Sequence, residues 1–239
     1  MFIDSLALSN YRNYGEESIS FSNGINILYG DNAQGKTNVL EAIYMLATTK
    51  SHRGSHDREI IKFDSDESHI KADVIKNGIS HRIDMHLRKN KNKGVAIDRV
   101  PIKRSAELFG LVNIIIFAPE DLNIIKESPS DRRRFIDMEL CQLNKIYYSN
   151  LSTYNKVLNQ RNNLLKQISF DRNKLDMLDV WDLQLVEYGS RVIGERQIFI
   201  DKINSIIPII HKRLTNNKEE LKLIYEKNIE EKLFEEELI

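Results

Sequence analysis

The stretch GDNAQGKT at residues 30–37 constrains this chain more than any other feature. It satisfies the spacing of a glycine, four residues, then Gly-Lys-Thr. It stands between an apolar run, Ile25 to Leu28, and a segment in which Val39, Leu40, Ile43, Leu46 and Ala47 recur at helical spacing. Strand, glycine loop and helix in that order predict a phosphate-binding loop. Gly30 and Gly35 permit backbone angles and a close approach that a Cβ would block, so the N–H groups of Asp31, Asn32, Ala33 and Gln34 are expected to line a phosphate cradle. The helix start at Gly35, Lys36, Thr37 and Asn38 adds free donors and the positive end of a helix dipole. Lys36 is placed to reach the β and γ phosphates as a point charge, and the Thr37 hydroxyl to ligate Mg²⁺, an ion that prefers oxygen ligands. Background usage of these residue types puts a chance match at about one in a hundred. Binding of a nucleoside triphosphate with Mg²⁺ is therefore the first expectation.

The rest of the composition excludes more than it suggests. At 239 residues, 41% hydrophobic and with a mean hydropathy of −0.42, the chain has enough apolar material for one substantial core and an appendage. Lys+Arg and Asp+Glu are equal at 35 each, so any nucleic-acid surface must be a local patch rather than a global field. The one cysteine, Cys141, cannot form an internal disulfide and reads as a small buried hydrophobe in a reducing compartment. Asp4 and Arg12 interrupt the opening MFIDSLALSNYRNY, which is not a signal peptide, and no run approaches the roughly 18 to 20 apolar residues that a bilayer crossing needs. A cytoplasmic protein without membrane contact is expected.

Along the chain, Phe2-Ile3, Ile19 to Phe21 and Ile25 to Leu28 read as strands. Between His69 and Pro101 two alternating stretches flank the polar run Arg88 to Lys93, which predicts a hairpin with that run at its tip. Leu111 to Phe117 is short and isoleucine-rich and reads as a fully buried strand. After Pro129, Leu and Ile spaced three and four apart predict long antiparallel helices; Glu220 to Lys227 alternates as an amphipathic strand does, and the charged tail from Glu226 reads as a helix. The fold class expected is α/β. A P-loop NTPase head with a mixed sheet wrapped around the loop helix occupies 1–117, and a helix-rich second lobe occupies 118–239.

Basic residues cluster at Arg88, Lys89, Lys91 and Lys93 and again at Arg132 and Arg133. Such groups suffice for sequence-independent contact with a phosphate backbone, but lysine-rich tips are equally often solvated turns, and both readings stay open.

Beyond the loop, NYRNY at 10–14, GDNAQGKTNVLEAIYMLA at 30–47, SHR at 51–53 and FAPEDLNIIKESPSDRRRFID at 117–137 occur in the order and spacing of the RecF family, which the chain resembles over essentially its whole length. RecF proteins are ABC-type ATPases similar to the heads of structural-maintenance-of-chromosomes proteins. The resemblance implies ATP binding, an ATP-dependent homodimer in the intact protein, binding to DNA at single-strand gaps and single/double-strand junctions, cooperation with RecR and RecO, and, indirectly, loading of RecA in recombinational repair and replication. By the same resemblance Arg12 matches the position where related heads bring a basic side chain to the nucleotide. Glu120 or Asp121 falls where those heads carry a group contacting Mg²⁺ and the attacking water, although two acids after Pro119 are equally a helix start.

No Walker B segment and no signature loop occur in these residues. The chain is thus expected to resemble the first two thirds of such a protein, to bind ATP weakly or only with the remainder, and not to turn it over at a useful rate. Two other readings are a non-catalytic nucleotide-binding interaction fragment and a P-loop kinase or GTPase; the second needs a lid arginine pair that is not evident in the sequence.

Overall fold

The computed structural model describes all residues except 105, 106, 127, 230–233, 235 and 237–239, and of residues 120 and 123 it describes the backbone alone. The chain forms two compact units, Met1–Lys126 and Glu127–Ile239.

The first unit is organised by one six-stranded sheet. Strands β1 (Phe2–Tyr11), β2 (Tyr14–Ser20), β3 (Glu67–Lys76), β4 (Ile79–Arg88), β5 (Lys91–Ile97) and β6 (Val100–Pro101) lie in the order β2-β1-β3-β4-β5-β6. Every pairing is antiparallel. The β3–β4 hairpin turns at Asn77-Gly78 with φ of 51° and 80°, the left-handed pair of angles that a two-residue turn matched to strand twist demands. The expected hairpin around Arg88 to Lys93 is formed by β4 and β5, with Arg88 paired to Lys91.

Alternation sends Leu6 and Leu8 of β1, Ile70, Ala72 and Val74 of β3, and Ile83, Met85 and Leu87 of β4 to one buried face. Helix α1 (Lys36–Thr48) lays Val39, Ala42, Met45 and Leu46 into the same core, while Leu40 stays half exposed. A short helix α2 (Asp57–Ile60) follows, capped reciprocally by His56 and Glu59.

Three segments that read as strands are not strands. Ile25 to Leu28 lies outside the sheet, with Ile25 89% and Ile27 77% exposed, so the sheet is antiparallel rather than mixed. Leu111 to Phe117 is not a buried strand: Val112 is buried, yet Ile115 and Phe117 face solvent. Glu220 to Lys227 contains no strand either, and the amide and carbonyl of Leu223 instead bond the side chain of Asn204. The physical reason is common to all three. An alternating segment becomes a strand only when a neighbouring backbone accepts its hydrogen bonds, and among the described residues no strand pairs with them.

A one-turn helix α3 (Asn123–Lys126) ends the first unit; in the second, α4 (Pro129–Leu143) is followed by α5 (Lys145–Ile168), a 3₁₀ turn at Arg172–Met177 and α6 (Leu178–Leu214). Arg161 of α5 pairs with Asp182 of α6, Tyr154 lies against Gly189, and Tyr147 meets Arg196. Partner numbers fall along α6 as they rise along α5, each time by seven. That is an antiparallel pair whose contacts recur every seven residues, two helical turns. Arg196 also donates two hydrogen bonds of 2.8 Å to the Asp137 carboxylate, and Tyr147 donates one of 2.5 Å to the same group, so a single polar node fastens α4, α5 and α6. Burial and the neighbouring Asp137 keep the Tyr147 phenol protonated far above its ordinary range. Cys141 is buried, as expected.

Candidate nucleotide site

The loop at 30–37 has the backbone that phosphate cradling requires. Gly30 has φ 138° and Gly35 φ 99°, angles open to glycine and costly for other residues, and Ala33 between them is also left-handed at 66°. The two glycines answer different needs. A Cβ on Gly35 would stand 2.6 Å from the Tyr14 hydroxyl and 2.9 Å from Asn13 Oδ1, so both side chains would have to move, on top of the cost of its angle. No protein atom lies within 4 Å of a Cβ built on Gly30, so that glycine is required by its angle and leaves room for a ligand.

Gly35 is the N-cap of α1 and offers no side chain to the helix end, which leaves donors of the first turn for an anion. Lys36 is folded over the loop, its Nζ donating to the carbonyls of Gly30 at 2.8 Å and Asp31 at 2.6 Å. Asp31, Asn32, Ala33 and Gln34 are exposed, as is Thr37, whose hydroxyl beside Lys36 is a hard oxygen donor suited to Mg²⁺. A cleft bordered by Lys36, Thr37, Leu40, Ile43, Leu28 and Phe21 adjoins the loop.

The two-residue turn between β1 and β2 braces this loop from below. Asn38 Nδ2 donates to Asn13 Oδ1 at 2.8 Å, and Tyr14 Oη reaches the Gln34 carbonyl at 3.5 Å. Arg12, the residue that the family motif singles out, points elsewhere. Its Nε and Nη2 grip both oxygens of Glu41 at 2.8 and 2.6 Å, while Nη2 also reaches Ser55 Oγ and Nη1 the Glu59 carbonyl. Glu41 is fully buried on α1 and also accepts from Ser51 Oγ at 2.5 Å and Tyr11 Oη at 3.3 Å. Burial pushes the Glu41 carboxyl up, but the hydrogen bonds from Arg12 and Ser51 outweigh it and hold the group below the usual carboxylate range. Arg53 Nη1 contacts Asn38 Oδ1 at 3.3 Å, so the Ser51–Arg53 segment is tied to the mouth of the loop helix.

Asn13, Tyr14 and Glu41 were thus missed as site-supporting residues. The only available signal was that the whole of NYRNY, not its arginine alone, precedes the loop.

The remaining candidates are scattered. Asp121 caps the 3₁₀ turn Pro119–Leu122, its carboxylate accepting from the Ala118 amide at 2.6 Å, and the Glu120 side chain lies outside the described residues. At the hairpin tip, Lys93 is committed to Asp57 at 2.9 Å and to the Thr49 carbonyl, Arg88 Nη2 bonds the Asn92 carbonyl, and Lys89 pairs loosely with Asp66. Lys91 is exposed, as are Arg132 and Arg133 on α4.

A left-handed glycine loop leading into the uncapped end of a buried helix, with its lysine folded over it, defines a P-loop ATPase head. The chain belongs to the AAA-domain family, whose sequence profile matches residues 5–238. Within that family it matches the RecF proteins. It is 60% identical over 238 residues to the DNA replication and repair protein RecF of Lachnoclostridium phytofermentans and 58% identical over 240 residues to that of Lachnospira eligens. In both cases all of this chain is covered, and it spans 66% of the relative's length. The structure of the recombination mediator protein RecF with ATP, from the RecFOR pathway, superimposes with a TM-score of 0.90 at 32% identity, covering 99% of this chain and 66% of that one. No helix among the described residues is long and apolar enough to cross a membrane.

Proposed function

We propose that this chain is the nucleotide-binding part of a RecF-type DNA replication and repair protein, and that it binds ATP with Mg²⁺ at Gly30–Asn38. The observation that carries the reading is the Gly30-to-Lys36 loop itself, in which left-handed glycines, an uncapped helix start and one folded-back ammonium surround space free of protein atoms. Similarity to an ATP-bound RecF supports it.

On arrival of a triphosphate, Lys36 exchanges two carbonyl acceptors for phosphate oxygens, which are charged and bind it more strongly. Thr37 would hold the Mg²⁺ through its hydroxyl, and the ion would supply positive charge against the phosphates. Arg12 joins the nucleotide only by releasing part of its fork on Glu41 and Ser55, and Glu120 or Asp121 serves as the acidic partner only if the Pro119 turn reopens. In the intact protein ATP acts by drawing two copies together, and DNA at gaps or junctions favours that paired state, so ATP works as a population shift. Lys91, Arg88, Arg132 and Arg133 are the cations proposed to meet the DNA backbone; Lys89 and Lys93 first have to leave their carboxylates. RecR and RecO are the proposed partners, RecA loading the outcome, and the cytoplasm the location.

The decisive experiment is a titration with a fluorescent ATP analogue in millimolar Mg²⁺. Lys36→Ala removes a charged contact worth about 1.5–3 kcal/mol and is expected to weaken binding roughly 10- to 150-fold, and Thr37→Ala to abolish the dependence on Mg²⁺. Equal affinity of Lys36→Ala and the parent chain would remove the reading.

A further inference from the structure

The face of the sheet turned away from α1 carries a cluster that nucleotide binding does not use. His69 of β3 and His86 of β4 are register partners, and their imidazole rings stack with centroids 4.0 Å apart and planes 19° from parallel. Glu67, two residues before His69 on the same face of β3, places Oε2 2.8 Å from His86 Nε2. One donor atom from each of the three side chains lies within 4.8 Å of the other two.

Their separation is set by rigid backbone. Both strands are internal to the sheet, and their ladder runs without a register shift from Glu67↔Arg88 to Lys76↔Ile79.

We propose that Glu67, His69 and His86 form a surface site for a borderline divalent cation of the Zn²⁺ type. Two imidazoles and one carboxylate are the donor set that suits such an ion, whereas Mg²⁺ and Ca²⁺ select oxygen alone, so the ligand chemistry separates this site from the nucleotide's metal. On binding, the ion replaces the hydrogen bond between His86 Nε2 and Glu67 Oε2, and any proton held there leaves to solvent. Ligand atoms around tetrahedral zinc lie about 3.3 Å apart given bonds of about 2.0 Å. The Glu67–His86 pair is already that close, and His69 closes the remainder by turning about its side-chain bonds. Three protein ligands leave a fourth position for water or an incoming donor. The bound ion cross-links β3 to β4 at the base of the hairpin that carries Arg88 to Lys93.

The test is Zn²⁺ binding by the 239-residue chain, measured by competition with a chromophoric chelator in excess Mg²⁺, with Co²⁺ absorption as a report on geometry. One tight site is expected. His69→Ala and His86→Ala are each expected to weaken it at least tenfold, and Glu67→Gln by about ten- to a hundredfold. The chain has six histidines and one cysteine, so His81→Ala serves as the control: His81 pairs with Asp98 on the same hairpin and is expected to leave binding unchanged. All of these side chains lie at the sheet surface, and far-UV dichroism checks that each variant folds. No binding at tens of micromolar Zn²⁺ overturns the proposal, as does binding that survives the His69→Ala/His86→Ala double variant or falls equally in His81→Ala.

Discussion

Replacing Glu41 by Gln tests how the loop helix is anchored. The carboxylate has no exposed surface and accepts two hydrogen bonds from Arg12, one from Ser51 and a longer one from Tyr11. Gln keeps the shape and one acceptor but turns the other oxygen into a donor facing a guanidinium. Breaking a buried ion pair costs about 3–5 kcal/mol. Here the Arg12 side chain is 19% exposed and regains some hydration, and the Gln carbonyl retains a neutral-acceptor bond of about 0.5–1.5 kcal/mol. A net loss of about 2–3 kcal/mol at pH 7 follows.

The pH dependence has a definite sign. The folded carboxyl titrates below its unfolded value of about 4.3, so its contribution is complete above that pH and is lost as pH falls through the folded value. The gap between parent and Glu41→Gln is therefore widest at neutral pH and narrows below about pH 4. Trp181 lies in the other unit, so its fluorescence does not report this change. Hydrogen exchange of peptides from β1 and α1 does, and Glu41→Gln is expected to exchange about 30- to 150-fold faster than the parent at pH 7. A ratio below threefold at pH 7, or one equally large at pH 3.5, contradicts the account of Glu41 as an ionised anchor.

Other substitutions separate bracing from chemistry. Gly35→Ala puts a methyl group against Tyr14 and Asn13 in a left-handed conformation; we expect a loss of about 1–3 kcal/mol in unfolding free energy and of nucleotide binding, with normal nucleotide affinity as the contrary result. Arg196→Met leaves the Asp137 carboxylate with the Tyr147 hydroxyl but no cation, and the Trp181-monitored urea transition is expected to lose about 2 kcal/mol; an unmoved midpoint shows that the ion pair fastens nothing. Lys93→Ala is expected to cost about 0.5–1 kcal/mol of stability through Asp57, whereas Lys91→Ala leaves stability alone and lowers the salt slope of DNA binding by about 0.7–0.9; the opposite assignment in a salt titration rejects this division of the hairpin tip.

What could be read in the sequence was whatever depends on local backbone chemistry. The loop at 30–37 declares itself because Gly, Lys and Thr at that spacing describe one continuous turn into one helix, and the helical unit because Leu and Ile repeat along α5 and α6. Contacts distant in sequence were silent. Nothing in a list of residues says that Arg12 will grip Glu41, because 29 positions separate them and the partner is a helix residue that sequence alone would place at the surface. Stacking of His69 on His86 was equally hidden, although the Asn77-Gly78 turn that fixes their register is a strong local signal.

The segments that alternate without forming strands bear on the nucleotide loop itself. All of residues 25–29 are exposed, Ile25, Ile27 and Tyr29 at 89%, 77% and 91% and Leu28 least at 37%. Side-chain pattern reports a capacity for pairing, while hydrogen bonds from a neighbouring strand realise it. The loop is consequently held from one side. Downstream, Gly35 is wedged against Tyr14 and Asn13, and α1 is sealed into the core by Val39, Ala42, Met45 and Glu41; upstream, Gly30 follows a segment that no strand restrains. Lys36 spans the two halves through the carbonyls of Gly30 and Asp31, so the ammonium itself ties the upstream half to the helix. A triphosphate that draws Lys36 away must supply that tie with its own oxygens.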